Sequence, residues 1–76
     1  MNEFINLVTC LRAKGYVLLA TAYKDGEGIL VSIAPLDPNS GKSILNKVIP
    51  AGEVGESLMD TAVAIYKTVK ELSEGV

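Results

Sequence analysis

Two apolar runs joined by a glycine-containing turn decide the fold: Tyr16-Val17-Leu18-Leu19-Ala20-Thr21-Ala22-Tyr23 and Ile29-Leu30-Val31-Ser32-Ile33-Ala34, with Lys24-Asp25-Gly26-Glu27-Gly28 between them. Branched and aromatic side chains suit a pleated, half-buried surface, so both runs read as strands. Asp-Gly with a second glycine nearby reads as the turn of a hairpin. Side chains alternate faces along a strand. Ile29, Val31 and Ile33 therefore share one face of the second strand, and Leu30, Ser32 and Ala34 the other. In the first strand Val17, Leu19, Thr21 and Tyr23 oppose Tyr16, Leu18, Ala20 and Ala22. Neither strand has a polar outer face. Strands apolar on both sides are covered on both, so the hairpin predicts a second layer of cover from another subunit or a partner protein.

Before the hairpin, Phe4, Ile5, Leu7, Val8 and Leu11 fall at helical spacing, which predicts a helix over 3–13. Asn2 is suited to capping its start, and Glu3 and Arg12 sit at the ends the helix dipole favours. Gly15 can take the positive φ that ends a helix. After the hairpin, Pro35-Leu36-Asp37-Pro38-Asn39-Ser40-Gly41-Lys42 reads as a loop, and Ser43 to Ile49 as a third strand stopped by Pro50. Pro50-Ala51-Gly52 reads as a turn. Leu58, Ala62, Ile65, Val69 and Leu72 then form a helical stripe, widened by Met59, Val63 and Tyr66. The expected helix runs about five turns, with Glu53, Glu56 and Asp60 at its start and Gly75 at its end. The order α-β-β-β-α predicts a single small α+β domain over 1–76, a three-stranded antiparallel sheet with two helices on one face. Leu7, Leu11, Leu19, Val31, Ile33, Leu58, Ile65 and Val69 are its expected core.

The 76 residues carry seven basic and nine acidic side chains, a net charge of -2. Affinity for nucleic acid rests largely on phosphate neutralisation, so this balance argues against a non-specific nucleic-acid binder. No histidine is present and Cys10 is the only cysteine, which excludes a Cys/His zinc site, a histidine general base and an internal disulfide. Absence of disulfides in so small a chain favours the cytoplasm. Met1-Asn2-Glu3 lacks the basic start of a signal peptide, and no apolar run approaches the roughly 20 residues of a membrane span.

The candidates for chemistry are few. Gly41-Lys42-Ser43 resembles the end of a phosphate-binding loop, but Leu36 stands where that motif needs glycine. The residues after Lys42 also favour a strand, and the phosphate site needs a helix N-terminus there. Asp25, Glu27 and Asp37 lack the alternation of a calcium loop and read as solvated turn charges. Glu53, Glu56 and Asp60 are explained by the helix dipole alone. Cys10 has no histidine partner and reads as a partly buried small hydrophobe. Lys24, Lys42 and Lys47 read as guards of the sheet edge rather than as a basic stripe. No catalytic residue, cofactor or metal ligand is expected.

The layout resembles PRTRC system protein E, a family from a mobile-element cassette. Phe4 to Leu11 is similar to its first helix. Leu18 to Thr21, Lys24-Asp25-Gly26 and Leu30-Val31-Ser32-Ile33-Ala34-Pro35 are similar to its hairpin, which ends at a proline. Gly52 and Glu56-Ser57-Leu58-Met59-Asp60 resemble its Gly…Glu-Leu-Asp helix start, with Gly52-Glu53-Val54-Gly55 in place of the family's Gly-Thr-Pro-Glu-Glu-Leu-Asp run. The resemblance implies an accessory protein of plasmids or integrated elements and carries no catalytic residues.

The expected function is a non-enzymatic protein-interaction module, an accessory of a mobile element or a small phage-type protein that binds a host or partner protein, or itself as a homodimer. Tyr16, Leu18, Ala20, Tyr23 and Leu30 are the expected contact residues, since tyrosine and exposed apolar side chains favour interfaces. The alternative is a nucleic-acid-binding module using the hairpin and Lys24, Lys42 and Lys47.

Overall fold

The computed structural model describes residues 2–76; Met1, with its share of the leader reading, lies outside them. Helix α1 (Asn2–Ala13) is followed by strands β1 (Tyr16–Tyr23), β2 (Gly28–Pro35) and β3 (Leu45–Pro50), a single-turn helix α2 (Ala51–Val54) and helix α3 (Leu58–Ser73). The strands form one antiparallel sheet in the order β1-β2-β3. The α+β class and the α-β-β-β-α order stand as expected, with α1 and α3 packed on one face. Asn2 is itself the first helical residue rather than a cap. Gly15 takes a φ of 89° after α1 and allows the chain to turn straight into β1.

The core consists of Leu11, Val31, Ile33, Ile49 and Val69, with Leu7, Tyr16, Leu18, Ile29, Leu45, Val54, Ile65 and Leu72 packed around it. Two expected core residues lie elsewhere. Leu19 is half exposed, because Leu18 lies opposite Ile33 and Ala20 opposite Val31. Opposed residues of an antiparallel pair share a face, so the even-numbered side chains of β1 join the core face and the odd-numbered ones turn away. Leu58 is 88% exposed. It sits at the first position of α3, beyond the sheet that the later turns cover.

The final helical region is also shorter than expected, and it is interrupted. Gly55, at φ 90°, separates α2 from α3, and a Cβ there would fall on the Asp60 side chain. Ser57 caps α3, its hydroxyl accepting the Asp60 N–H at 3.0 Å. Of the acids expected at the helix start, only Asp60 occupies the first turn of α3; Glu53 belongs to α2. The helix stops at Ser73, before Gly75, and Glu74 stays in right-handed helical geometry. The third strand begins at Leu45, leaving Ile44 exposed in the loop. Cys10 is exposed rather than partly buried. Helical side chains advance by about 100° per residue, and Cys10, one step before buried Leu11, points past the covered stripe.

Gly28 closes the hairpin against β3. Its φ is 150°, and a Cβ would collide with the Ile49 carbonyl oxygen, so only glycine fits. Thr68, buried in α3, donates its hydroxyl to the Ala64 carbonyl at 3.0 Å. Among the described residues no buried side-chain polar atom lacks a partner.

Candidate interaction surface

Among the described residues the sheet is layered on one side only. The side chains packed on the core come from the face that carries Ile29, Val31, Ile33, Leu45 and Ile49. The other face carries Val17, Leu19, Thr21 and Tyr23 from β1, Leu30, Ser32 and Ala34 from β2, and Asn46 and Val48 from β3. Leu30 lies between Thr21 and Val48 in the ladder, and none of these residues belongs to the core cluster. Leu19, 49% exposed, is the large apolar side chain this face shows most openly.

The five expected contact residues divide between the two faces. Leu30 and Tyr23 lie on the bare one. Tyr16, Leu18 and Ala20 lie on the helix side, where Tyr16 and Leu18 pack against the core. Leu18 and Ala20 therefore cannot form one patch with Leu30 and Ala34. Ala20 and Ala22 nevertheless remain exposed, because the helices leave the hairpin end of β1 uncovered.

A second apolar surface follows the N-terminal ends of the two long helices. Phe4 and Tyr66 pack ring to ring at 5.8 Å. With Glu3, Met59, Ala62 and Val63 they line a shallow groove of about 350 Å³. Ile5, Leu58 and Met59 are well exposed. Met59, Val63 and Tyr66, expected to widen the buried stripe of a longer helix, line this groove instead. The capping pair Ser57 and Asp60 is the signal that marks the true start.

The lysines do not converge. Lys24, at φ 50° in the hairpin turn, lies 3.8 Å from Glu27 and 5.2 Å from the Tyr23 ring centre. Lys42 sits over the Tyr16 ring at the opposite end of β1. Lys47 donates to Glu71 of α3 at 2.6 Å. This hydrogen bond, aided by the Glu71 charge, raises the Lys47 pKa above its ordinary value.

The Gly41-Lys42-Ser43 segment is a surface turn. Asp37 accepts the Asn39 N–H at 3.0 Å, the Ser40 hydroxyl accepts the Lys42 N–H at 3.3 Å, and the chain runs on into β3 rather than a helix. Backbone amides are thus not arranged at a helix N-terminus to hold a phosphate. Among the described residues no group of three His, Cys, Asp or Glu side chains is placed to hold a metal ion. No helix there is long and apolar enough to cross a membrane. Compared with protein-family models, curated proteins and solved structures, the chain matches none.

Proposed function

We propose that this chain is a non-enzymatic protein-interaction module whose contact surface is the bare face of its sheet. One observation carries the reading: among the described residues Val17, Leu19, Leu30, Ala34 and Val48 line a sheet face that no helix covers, Leu19 exposed and the others half-buried. Contiguous exposed apolar surface rimmed by polar groups is characteristic of protein-binding sites. Thr21, Ser32 and Asn46 supply hydrogen-bonding groups on the same face. The resemblance to PRTRC system protein E supports a role as an accessory protein of a mobile element, and a lone cysteine in so small a chain supports a cytoplasmic location.

The test compares tagged wild type with Leu30→Lys in capture from lysate of the source organism, each first checked by circular dichroism. Leu30 lies outside the core, so the variant should keep its fold and release the protein that wild type retains in stoichiometric amount. Equal retention by the variant, or a wild type that retains nothing, overturns the reading.

A further inference from the structure

We propose that β1 pairs antiparallel with β1 of a second copy about a two-fold axis through Leu19, joining two three-stranded sheets into one. The proposal rests on reading the chain as an interaction module but uses the sheet edge instead of its bare face. The Leu36 N–H donates to the Gly15 carbonyl, and the Ala51 N–H to the Glu27 carbonyl. Hydrogen-bonded and non-hydrogen-bonded pairs alternate along an antiparallel ladder. Carried along the β1–β2 register, this turns the amides of Val17, Leu19, Thr21 and Tyr23 toward β2. The amides and carbonyls of Tyr16, Leu18, Ala20 and Ala22 then point outward along a free edge.

The two edges of the sheet differ. In β3 the outward positions are Asn46, Val48 and Pro50, on a shorter strand that ends in a residue without an N–H. Short strands and edge prolines discourage strand addition. β1 is eight residues long and contains no charge, proline or glycine. Such an edge is a template for another strand.

The occupant follows from the order of side-chain sizes. Two copies of one strand related by a two-fold axis normal to the sheet keep their faces, so opposed residues have the same parity. Only the register centred on Leu19 gives every outward group of Tyr16, Leu18, Ala20 and Ala22 a partner. It sets Tyr16 against the second copy's Ala22, and Leu18 against its Ala20. Each large residue on the helix side meets a small one, over the alanines that the helices leave exposed. The two Leu19 side chains meet on the bare face.

The ends carry opposite net charge, although the same register sets Lys24 of one copy against Lys14 of the other. The hairpin turn carries Asp25 and Glu27 against the single Lys24. It approaches the other copy beside Gly15 and Tyr16, where Lys14 follows α1 and Lys42 lies over the Tyr16 ring. The pairing leaves both bare faces on the same side of one joined sheet.

Sedimentation velocity of the full chain tests the pairing. Wild type should sediment as a dimer. Ala20→Pro removes an outward amide from each copy and leaves the β1–β2 ladder intact. It should weaken the dimer by roughly 100-fold with unchanged circular dichroism. In a Cys10→Ser background, Leu19→Cys should form an intermolecular disulfide on mild oxidation, because opposed residues of a non-hydrogen-bonded pair lie within disulfide reach. Thr21→Cys, opposite Val17 of the other copy, should not. A monomeric wild type, a folded Ala20→Pro that remains a dimer, or equal cross-linking at both positions overturns the proposal. If Ala20→Pro fails to fold, the two cysteine variants decide. Leu30→Lys should release the captured protein yet leave the dimer intact, and Ala20→Pro should do the reverse to the dimer, so failure of either surface is separately visible.

Discussion

The two faces of the sheet are built from similar residues and have opposite fates. On one, Val31, Ile33 and Ile49 are sealed under α1 and α3. On the other, Leu30, Val48 and Leu19 remain outside the core. Composition does not distinguish the faces; cover does. Burial contributes in proportion to the area removed from water, so one strand can hold residues that stabilise the fold next to residues free to serve association.

Truncation at matched positions should separate the two faces most strongly. Ile33→Ala should lose about 2–5 kcal/mol in denaturant unfolding, from lost transfer and the cavity left behind. A domain this small has little stability to spare, so the variant should be largely unfolded. Leu30→Ala, read the same way in dilute solution, should lose less than about 1.5 kcal/mol. A cost that grows with protein concentration would show self-association covering the bare face. A cost equal to that of Ile33→Ala would remove the contrast between the faces.

Within α3 the later turns pack on the core and the first turn is exposed, and a smaller difference is expected there. Ser57→Ala removes the cap and should cost about 1 kcal/mol by thermal unfolding. Leu58→Ser, one position on, should stay within about 0.5 kcal/mol, because Leu58 touches little of the fold.

The smallest effect concerns Lys47, which lies opposite Val31 on the covered side and reaches out to Glu71. Its folded pKa is raised above 10.5 by that hydrogen bond first and by the Glu71 charge second. The stabilisation it provides is therefore fully present below the unfolded pKa and is lost as pH rises through the folded one. The melting-temperature difference between wild type and Lys47→Met should be small and constant near neutral pH, and should shrink above about pH 10.5. A difference that disappears on acidification to neutral pH would contradict this assignment.

The strands, their order and the helical layer were legible because each had a local cause: branched apolar runs, Asp25-Gly26 between them, Gly15 after α1, and a periodic stripe at the end. The face of β1 was not legible from its own residues. Tyr16 to Ala20 is apolar at every position, so alternation had no polar marker. The register set by the whole turn, Lys24 to Glu27, decides it by placing Leu18 opposite Ile33. The same ambiguity divided the expected contact residues: Leu30 and Tyr23 fell on the bare face, while Tyr16, Leu18 and Ala20 went to the other. Gly55 was hidden for a different reason, since Glu53, Val54, Glu56 and Leu58 keep a spacing compatible with helix across the break.

The neighbour-to-neighbour order of the strands also bears on how fast the chain finds its fold. Each ladder joins segments adjacent in sequence, and short closures cost little entropy. The tilted ring contact of Phe4 with Tyr66 closes a loop of nearly the whole chain and should form after the rate-limiting barrier. Phe4→Ala should then accelerate unfolding in stopped-flow measurements and leave the refolding rate nearly unchanged. A refolding rate that falls in proportion to the lost stability would place the meeting of the two terminal helices at the barrier itself.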